Sequence, residues 1–463
     1  MFLSQLGFLE RGMAMRGRSR TRATWSRIAA GLLVALLVQA AGTDAAAQVA
    51  QPEPVPDLVG PAQPPEKAVS AEKSHPEYDP LGMRLGGFIF SPSILVGEEY
   101  EDNVFSTHSN EKSDFITHVH PAFDLVSDWD VHALALHAEA DVLQYSRFSS
   151  ENAGNIIVSG GGRLDILQGQ YLELNAGYQS LQEDRSSPDS IEAVLLAGGT
   201  LARTPTQYSV ETGNMKYVYS PGLIKFALDA GVINYQFTNT PTTNGGLAIN
   251  SDRNRAEYTL TPKIGYEFLP GYQVYFQASG DSHDYVEKFD ATPDRLQRNS
   301  AGYAAAVGVD FDISALITGT IFAGYEGQFY SDPRLSAIQG DYGGGSLLWN
   351  ITDFTSVKLS FSRAIEDTIV VGSSGFWATQ TGLSVEQEVY DDLLVSGGFT
   401  YIDSDYKGTP LTDDQYDLKA TAAWKLNRNF EIDISTDWLR QTSTVEAGGF
   451  GQQITQLALK AKL

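Results

Sequence analysis

The chain contains no cysteine, so no disulfide can hold it together. It has no uninterrupted run of about 18 apolar residues, which speaks against a bilayer-spanning helix. Basic residues are scarce: 32 Lys and Arg stand against 57 Asp and Glu, a net charge of −25. Nucleic acid is therefore not an expected partner, because its phosphates need basic patches. Against these shortages stand 44 Gly, 22 Tyr and 22 Phe in a chain only 42% hydrophobic, a composition of sheet with many turns.

The N-terminus has the three parts of an export signal. Arg16, Arg18, Arg20, Arg22 and Arg27 form a basic start, Ile28 to Val38 an apolar stretch too short to span, and Ala45-Ala46-Ala47 a cleavage site before Gln48. Met13 and Met15 are alternative starts. Residues 1–47 are thus expected to be a signal peptide. Their removal takes six Arg and two acids from the totals, leaving 26 basic and 55 acidic residues and a net charge of −29. An exported chain of this length without disulfides suits a Gram-negative envelope. Residues 48–84 read as a Pro-rich disordered periplasmic spacer, since 49–74 are rich in Pro, Ala and Glu without apolar periodicity.

From residue 85 to 463 one pattern persists: segments of about 12 to 15 residues alternating with period two. In 256–268, Tyr258, Leu260, Ile264, Tyr266 and Phe268 share one face, and Glu257, Thr259, Lys263 and Glu267 the other. The links alternate too. Tight turns are expected at Trp129-Asp130, Gln168-Gly169, Pro221-Gly222, Pro270-Gly271, Ser314-Ala315, Thr352-Asp353, 390–392 and 427–429, with nine longer polar links between them. This predicts an all-β, antiparallel up-and-down transmembrane β-barrel of about 18 strands, with 16 as the alternative. Only a closed ring pairs every backbone group inside a bilayer. Short turns and both termini are then periplasmic, the long loops extracellular, and the integral barrel sits in outer-membrane lipid.

The apolar face must meet lipid, so the polar face must meet the lumen. On it fall His118, His120, Glu139, Asp141, Glu173, Lys225, Asp229, Glu257, Lys263, Glu267, Asp310, Asp312, Lys358, Lys419, Lys425, Glu431, Asp433 and Asp437. A ring of 16 to 18 strands is too wide for side chains to fill, so these residues are expected to line an aqueous channel for small polar solutes. Mixed charge with an acidic excess favours neutral or cationic solutes. A two-residue turn at Trp129-Asp130 predicts that His120 faces Glu139 and His118 faces Asp141. Two histidines and two carboxylates have divalent-metal chemistry, but cross-strand charge pairing is the simpler reading, and no metal or cofactor is expected. Tyr100-Glu101-Asp102-Asn103 with Asp114 reads as turn chemistry rather than a calcium loop. Gly160-Gly161-Gly162 and Gly343-Gly344-Gly345 read as points of curvature. Tyr272, Trp424, Phe430 and Trp438 read as interface anchors. His283 and Asp284 lie near a strand end without a nucleophile signature, so no enzyme is expected.

Several words in order carry a family resemblance: His75-Pro76-Glu77-Tyr78-Asp79-Pro80-Leu81-Gly82, then Tyr100-Glu101-Asp102-Asn103-Val104-Phe105, Lys112-Ser113-Asp114-Phe115, and Ser127-Asp128-Trp129-Asp130. In this the chain resembles the proteobacterial outer-membrane family called β-barrel porin type 2. The resemblance implies a porin-like barrel often associated with exopolysaccharide secretion, hence passage of polysaccharide or another polar solute and contact with periplasmic export components. The alternating end, Leu457 to Leu463, resembles the terminal strand read by the barrel-assembly machinery, though Leu463 replaces the usual aromatic. A plugged, non-conducting barrel acting as adhesin or scaffold through acidic extracellular loops is the alternative function.

Overall fold

The computed structural model describes residues 75–187, 202–314, 316–445 and 448–463. The expected signal peptide, and the spacer up to residue 74, lie outside the described residues. Eighteen long strands follow one another around a ring. They are β1 Phe88–Glu101, β2 Asp114–Ser127, β3 Ala133–Tyr145, β4 Ala153–Leu167, β5 Gln170–Gln182 and β6 Gln207–Tyr219. Next come β7 Ile224–Phe237, β8 Arg255–Leu269, β9 Tyr272–Tyr285, β10 Ser300–Ser314, β11 Ile317–Tyr330 and β12 Ile338–Thr352. The last six are β13 Thr355–Glu366, β14 Phe376–Tyr390, β15 Leu393–Tyr406, β16 Thr412–Asn427, β17 Phe430–Ser443 and β18 Phe450–Lys462. Every neighbouring pair is antiparallel, and β18 closes onto β1 from Lys462 opposite Ser93 to Ile454 opposite Glu101. The strand number is eighteen, not sixteen.

Closure leaves no sheet edge, so the ladder satisfies its own backbone groups without water. Following paired residues once around the ring returns to β1 displaced by about 22 residues, which for eighteen strands implies a tilt near 40° and a backbone diameter on the order of 35 Å. Six of the short turns follow a bulge, as between Asp165 and Leu167 or Glu267 and Leu269. Bulges add local twist. Gly169 and Gly271 then take φ of +73° and +80°, which a side chain would resist.

Alternation along the strands separates two surfaces. Ile94, Val96, Leu260, Ile264, Phe276, Leu418, Ile434, Leu457 and Leu459 all point outward and are well exposed. So continuous an apolar belt is untenable in water and is built for lipid. Aromatic pairs border it at both ends: Phe88 with Trp129 at 5.3 Å near the short turns, and Tyr100 with Phe115 at 5.2 Å near the long loops. Trp424, Phe430 and Trp438 are likewise exposed on the outer face. Inward glycines make room for large neighbours. A Cβ on Gly308 would lie 2.3 Å from the Tyr275 ring, and one on Gly344 2.9 Å from Phe322.

The β2–β3 turn departs from expectation. It spans 128–132 rather than two residues, with His132 at φ +65°. Trp129 is drawn onto Phe88, and the Asp128 amide donates to Gly87 O at 2.9 Å. The register therefore slips by two: His118 sits opposite Leu143, and Glu139 opposite Ala122. A slip of two keeps the faces; a slip of one would have inverted them.

Candidate functional site: the inner wall and its two mouths

The eighteen candidate wall residues share the strand faces opposite the exposed apolar belt. Toward the short turns they form ion pairs that range from half-exposed, as at Lys225–Glu267, to largely buried, as at Lys358–Glu386. Lys225 Nζ is 2.7 Å from Glu267, Lys263 Nζ 3.2 Å from Asp310, and Lys358 Nζ 3.5 Å from Glu386. Glu173 meets Lys216 at 3.9 Å, and Glu431 meets Lys462 at 2.9 Å. Asn214 donates to Asp229 at 2.8 Å. Lys419 is paired in register with Asp437, and Asp433 with Ala423. Asp312 lies at the short-turn rim, its amide bonded to Gly271 O. Lys216, Glu386 and Lys462 were not singled out from sequence, although each lies on the same period-two face.

On β1–β3 the corrected register still brings the predicted partners together, diagonally instead of directly. His120 Nε2 is 3.2 Å from Glu139, and His118 Nδ1 is 3.4 Å from Asp141. Diagonal neighbours on one face remain within reach of long side chains. Three residues that the sequence reading passed over join them. Glu99 meets His118 Nε2 at 3.3 Å, while His137 bridges Asp124 at 2.8 Å and Glu139 at 3.3 Å.

The long-loop mouth is narrowed from within. Pairing of β12 with β13 stops at Gly343 opposite Arg363. Beyond it β13 leans away, and the Ile365 amide donates to Glu326 on β11. The loop 367–375 then crosses part of the opening. Asp367 reaches His283 on β9 at 2.7 Å and Arg255 on β8 at 3.8 Å, four and five strands away around the ring. Arg298 holds the same loop through Thr368 O at 2.7 Å and is itself paired with Asp290 at 3.0 Å. Burial alone would push the pKa of Asp367 up, but the charges of His283, Arg255 and Arg298 prevail and hold its carboxyl below the usual carboxylate range.

Beside this loop the inner wall becomes a packed core. Tyr208, Val210, Tyr235 and Phe237 are buried together, with Arg253 3.9 Å over Phe237 and Arg255 4.2 Å over Tyr235. Rings buried this deeply anchor the mouth and offer no stacking platform to a solute. Arg253 also forms a bidentate pair with Glu183 at 2.7 and 3.2 Å. Val370 of the crossing loop is fully buried with Phe376, Ala378, Tyr406 and Leu411.

At the opposite mouth the chain runs across the short turns before β1 begins. His75 Nε2 is 3.3 Å from Glu388 on β14, Arg428 donates to Pro76 O, and Asp79 is 3.7 Å from Lys425. Met83–Leu85 then pairs with Phe88–Phe90. Residues 75–84, expected within the spacer, are thus packed on the barrel. A hollow of about 590 Å³ lies between Tyr78, Phe354 and Gln387–Asp392.

Solved structures of similar shape share little sequence with this chain. OccK2 (OpdF) of Pseudomonas aeruginosa has a TM-score of 0.44 and 8% identity, covering 82% of this chain and 98% of that one. The siderophore receptor PirA of Pseudomonas aeruginosa gives 0.41 and 8%, with 81% and 80% covered. The siderophore receptor PiuA of Acinetobacter baumannii gives 0.41 and 11%, with 82% of each covered. These likenesses carry no argument about what passes through. No curated protein is significantly similar in sequence. The profile of one family does match, over residues 75–463, which is the strap at the short-turn mouth and all eighteen strands; the chain belongs to the porin-like β-barrel family described as Putative beta-barrel porin 2.

Proposed function

We propose that this protein is an outer-membrane channel for polar solutes, linked to export of an exopolysaccharide. One observation carries the channel: a closed eighteen-strand ring apolar outside and charged inside, whose diameter on the order of 35 Å exceeds what side chains can fill. In this reading the chain is exported by its N-terminal signal and inserted by the barrel-assembly machinery. The long loops face outward and both termini the periplasm, where the strap at His75–Gly82 meets export components. The acidic excess on the wall favours neutral and cationic solutes. The polysaccharide link rests on the family resemblance alone.

Single-channel recording in planar bilayers tests the channel, and steady conductance is the expected result. Liposome swelling then separates the uses. Free passage of small sugars favours a diffusion porin, whereas conductance without it favours a dedicated conduit. A second reading has a specific observation behind it, the loop and buried aromatic core at the long-loop mouth. On that reading the barrel is plugged and acts as adhesin or scaffold, and silence at every voltage would establish it.

A further inference from the structure

Glu257 on β8, His283 on β9 and Asp367 of the crossing loop each offer a donor atom within 4.8 Å of the others. We propose that these three side chains form a site for a divalent transition-metal ion, with Zn²⁺ as the best fit, and that the ion clamps loop 367–375 to the barrel wall. Imidazole with carboxylates, and no thiolate, suits ions of this class.

The geometry gives each neighbour a role. His283 Nδ1 and Asp367 Oδ2 are 2.7 Å apart, about the separation of two ligands on one small ion after a few tenths of an ångström of spreading. An ion there takes the place of the proton between them. The other ring nitrogen, Nε2, then keeps its hydrogen and points at Asp281 Oδ2, now 3.5 Å away. That oxygen is buried and has no hydrogen-bond partner. A carboxylate behind the far nitrogen of a metal-bound histidine orients the ring and raises its basicity. Asp281 stands where that role requires.

Charge favours the ion. Arg255 binds one oxygen of Glu257 at 2.7 Å and so compensates one of the three carboxylates Glu257, Asp281 and Asp367. Arg298 is already matched by Asp290. Two negative charges remain around a neutral imidazole, and a divalent cation brings the cluster to neutrality, as a half-buried site demands. The histidines of β1–β3 are spread along a stripe, and among the described residues only the Glu257 cluster gathers three such donors this closely.

Titration calorimetry of the detergent-purified barrel with ZnCl₂ tests the proposal, with MgCl₂ in parallel. One saturable Zn²⁺ site per chain is expected, with Mg²⁺ bound far more weakly. His283→Ala should abolish it, and Asp281→Asn should weaken it roughly 10- to 100-fold. His120→Ala on the other stripe should leave it unchanged. Heat-modifiable gel migration checks that each variant is folded. Should His283→Ala fail that check, slower carbethoxylation of His283 in the intact protein under Zn²⁺ is the expected alternative readout. Absence of saturable uptake below about 0.1 mM, equal uptake by folded His283→Ala, or unchanged labelling overturns the site. None of these outcomes bears on conductance, so the channel reading stands or falls separately.

Discussion

Arg253 and Glu183 meet at 2.7 Å with side chains 3% and 5% exposed, whereas Lys225 and Glu267 meet at the same 2.7 Å with 36% and 25% exposed. Both pairs involve the inner side of the barrel, one at the long-loop mouth and one at the short-turn mouth. Equal distances conceal unequal energetics. Solvent screens the exposed pair, so its net contribution is small. Removing one partner of the buried pair strands an uncompensated charge, at about 3–5 kcal/mol. The Arg253 pair therefore lies in protein interior and the Lys225 pair on a wetted stretch of wall.

The largest expected effect comes from attacking the interior end. Arg253→Ala should destabilise the barrel by about 3–5 kcal/mol in urea unfolding from lipid vesicles, and Lys225→Ala far less, because solvent already screens its pair. Equal losses would break the distinction. Next is Gly308→Ala, midway along the wall. Its new methyl meets the Tyr275 ring, which Lys263 at 3.5 Å and Thr320 at 3.1 Å hold in place, for a cost of about 1–3 kcal/mol in the same assay.

Two predictions concern passage. Replacing Thr368–Ser374 by a short Gly-Ser link should raise single-channel conductance by a factor of roughly two or more, since that loop crosses the narrowed mouth. Unchanged conductance would place the constriction elsewhere. At the wetted end, Lys225→Glu with Lys263→Glu should raise cation over anion permeability by roughly two- to fivefold, read from the reversal potential in a salt gradient.

The smallest effect is a local one on acidification. In the loop after β11, Asp332 is held below the usual carboxylate range, first by the Arg334 side chain at 2.7 Å and then by backbone amides. A depressed carboxylate contributes stability above its unfolded value near 4, and loses it as pH falls through the lower folded value. Amide protection in loop 331–337 should therefore persist at pH 6 and decline only well below pH 4. Asp332→Asn should lose that protection already at pH 6.

Much of the fold was legible because alternation with period two is local. The stretch Ala256 to Phe268 announces its two faces without knowing its neighbours, and the turn at Pro270-Gly271 announces itself by residue type. The β2–β3 register was not legible. It depends on Trp129 finding Phe88, a residue some forty positions earlier that the pairing of β1 with β2 brings beside the turn. The inner wall was legible in parity and not in partnership. Lys225 could be assigned inward from β7 alone, but its contact with Glu267 requires β8 alongside. Arg255, two residues before Glu257 on the same face, carried a signal that was passed over. Asp367 carried none, because nothing in a loop sequence says that it will cross the opening to another part of the wall.

That the chain has one surface for lipid and one for a polar interior was written in its residue order, because side-chain direction in a strand follows from its own backbone. Which stretches of that interior stay open and which are packed shut followed only from the assembled ring and the loop folded into its mouth. Burial depends on what arrives from across the ring, and local pattern holds no information about distant arrivals.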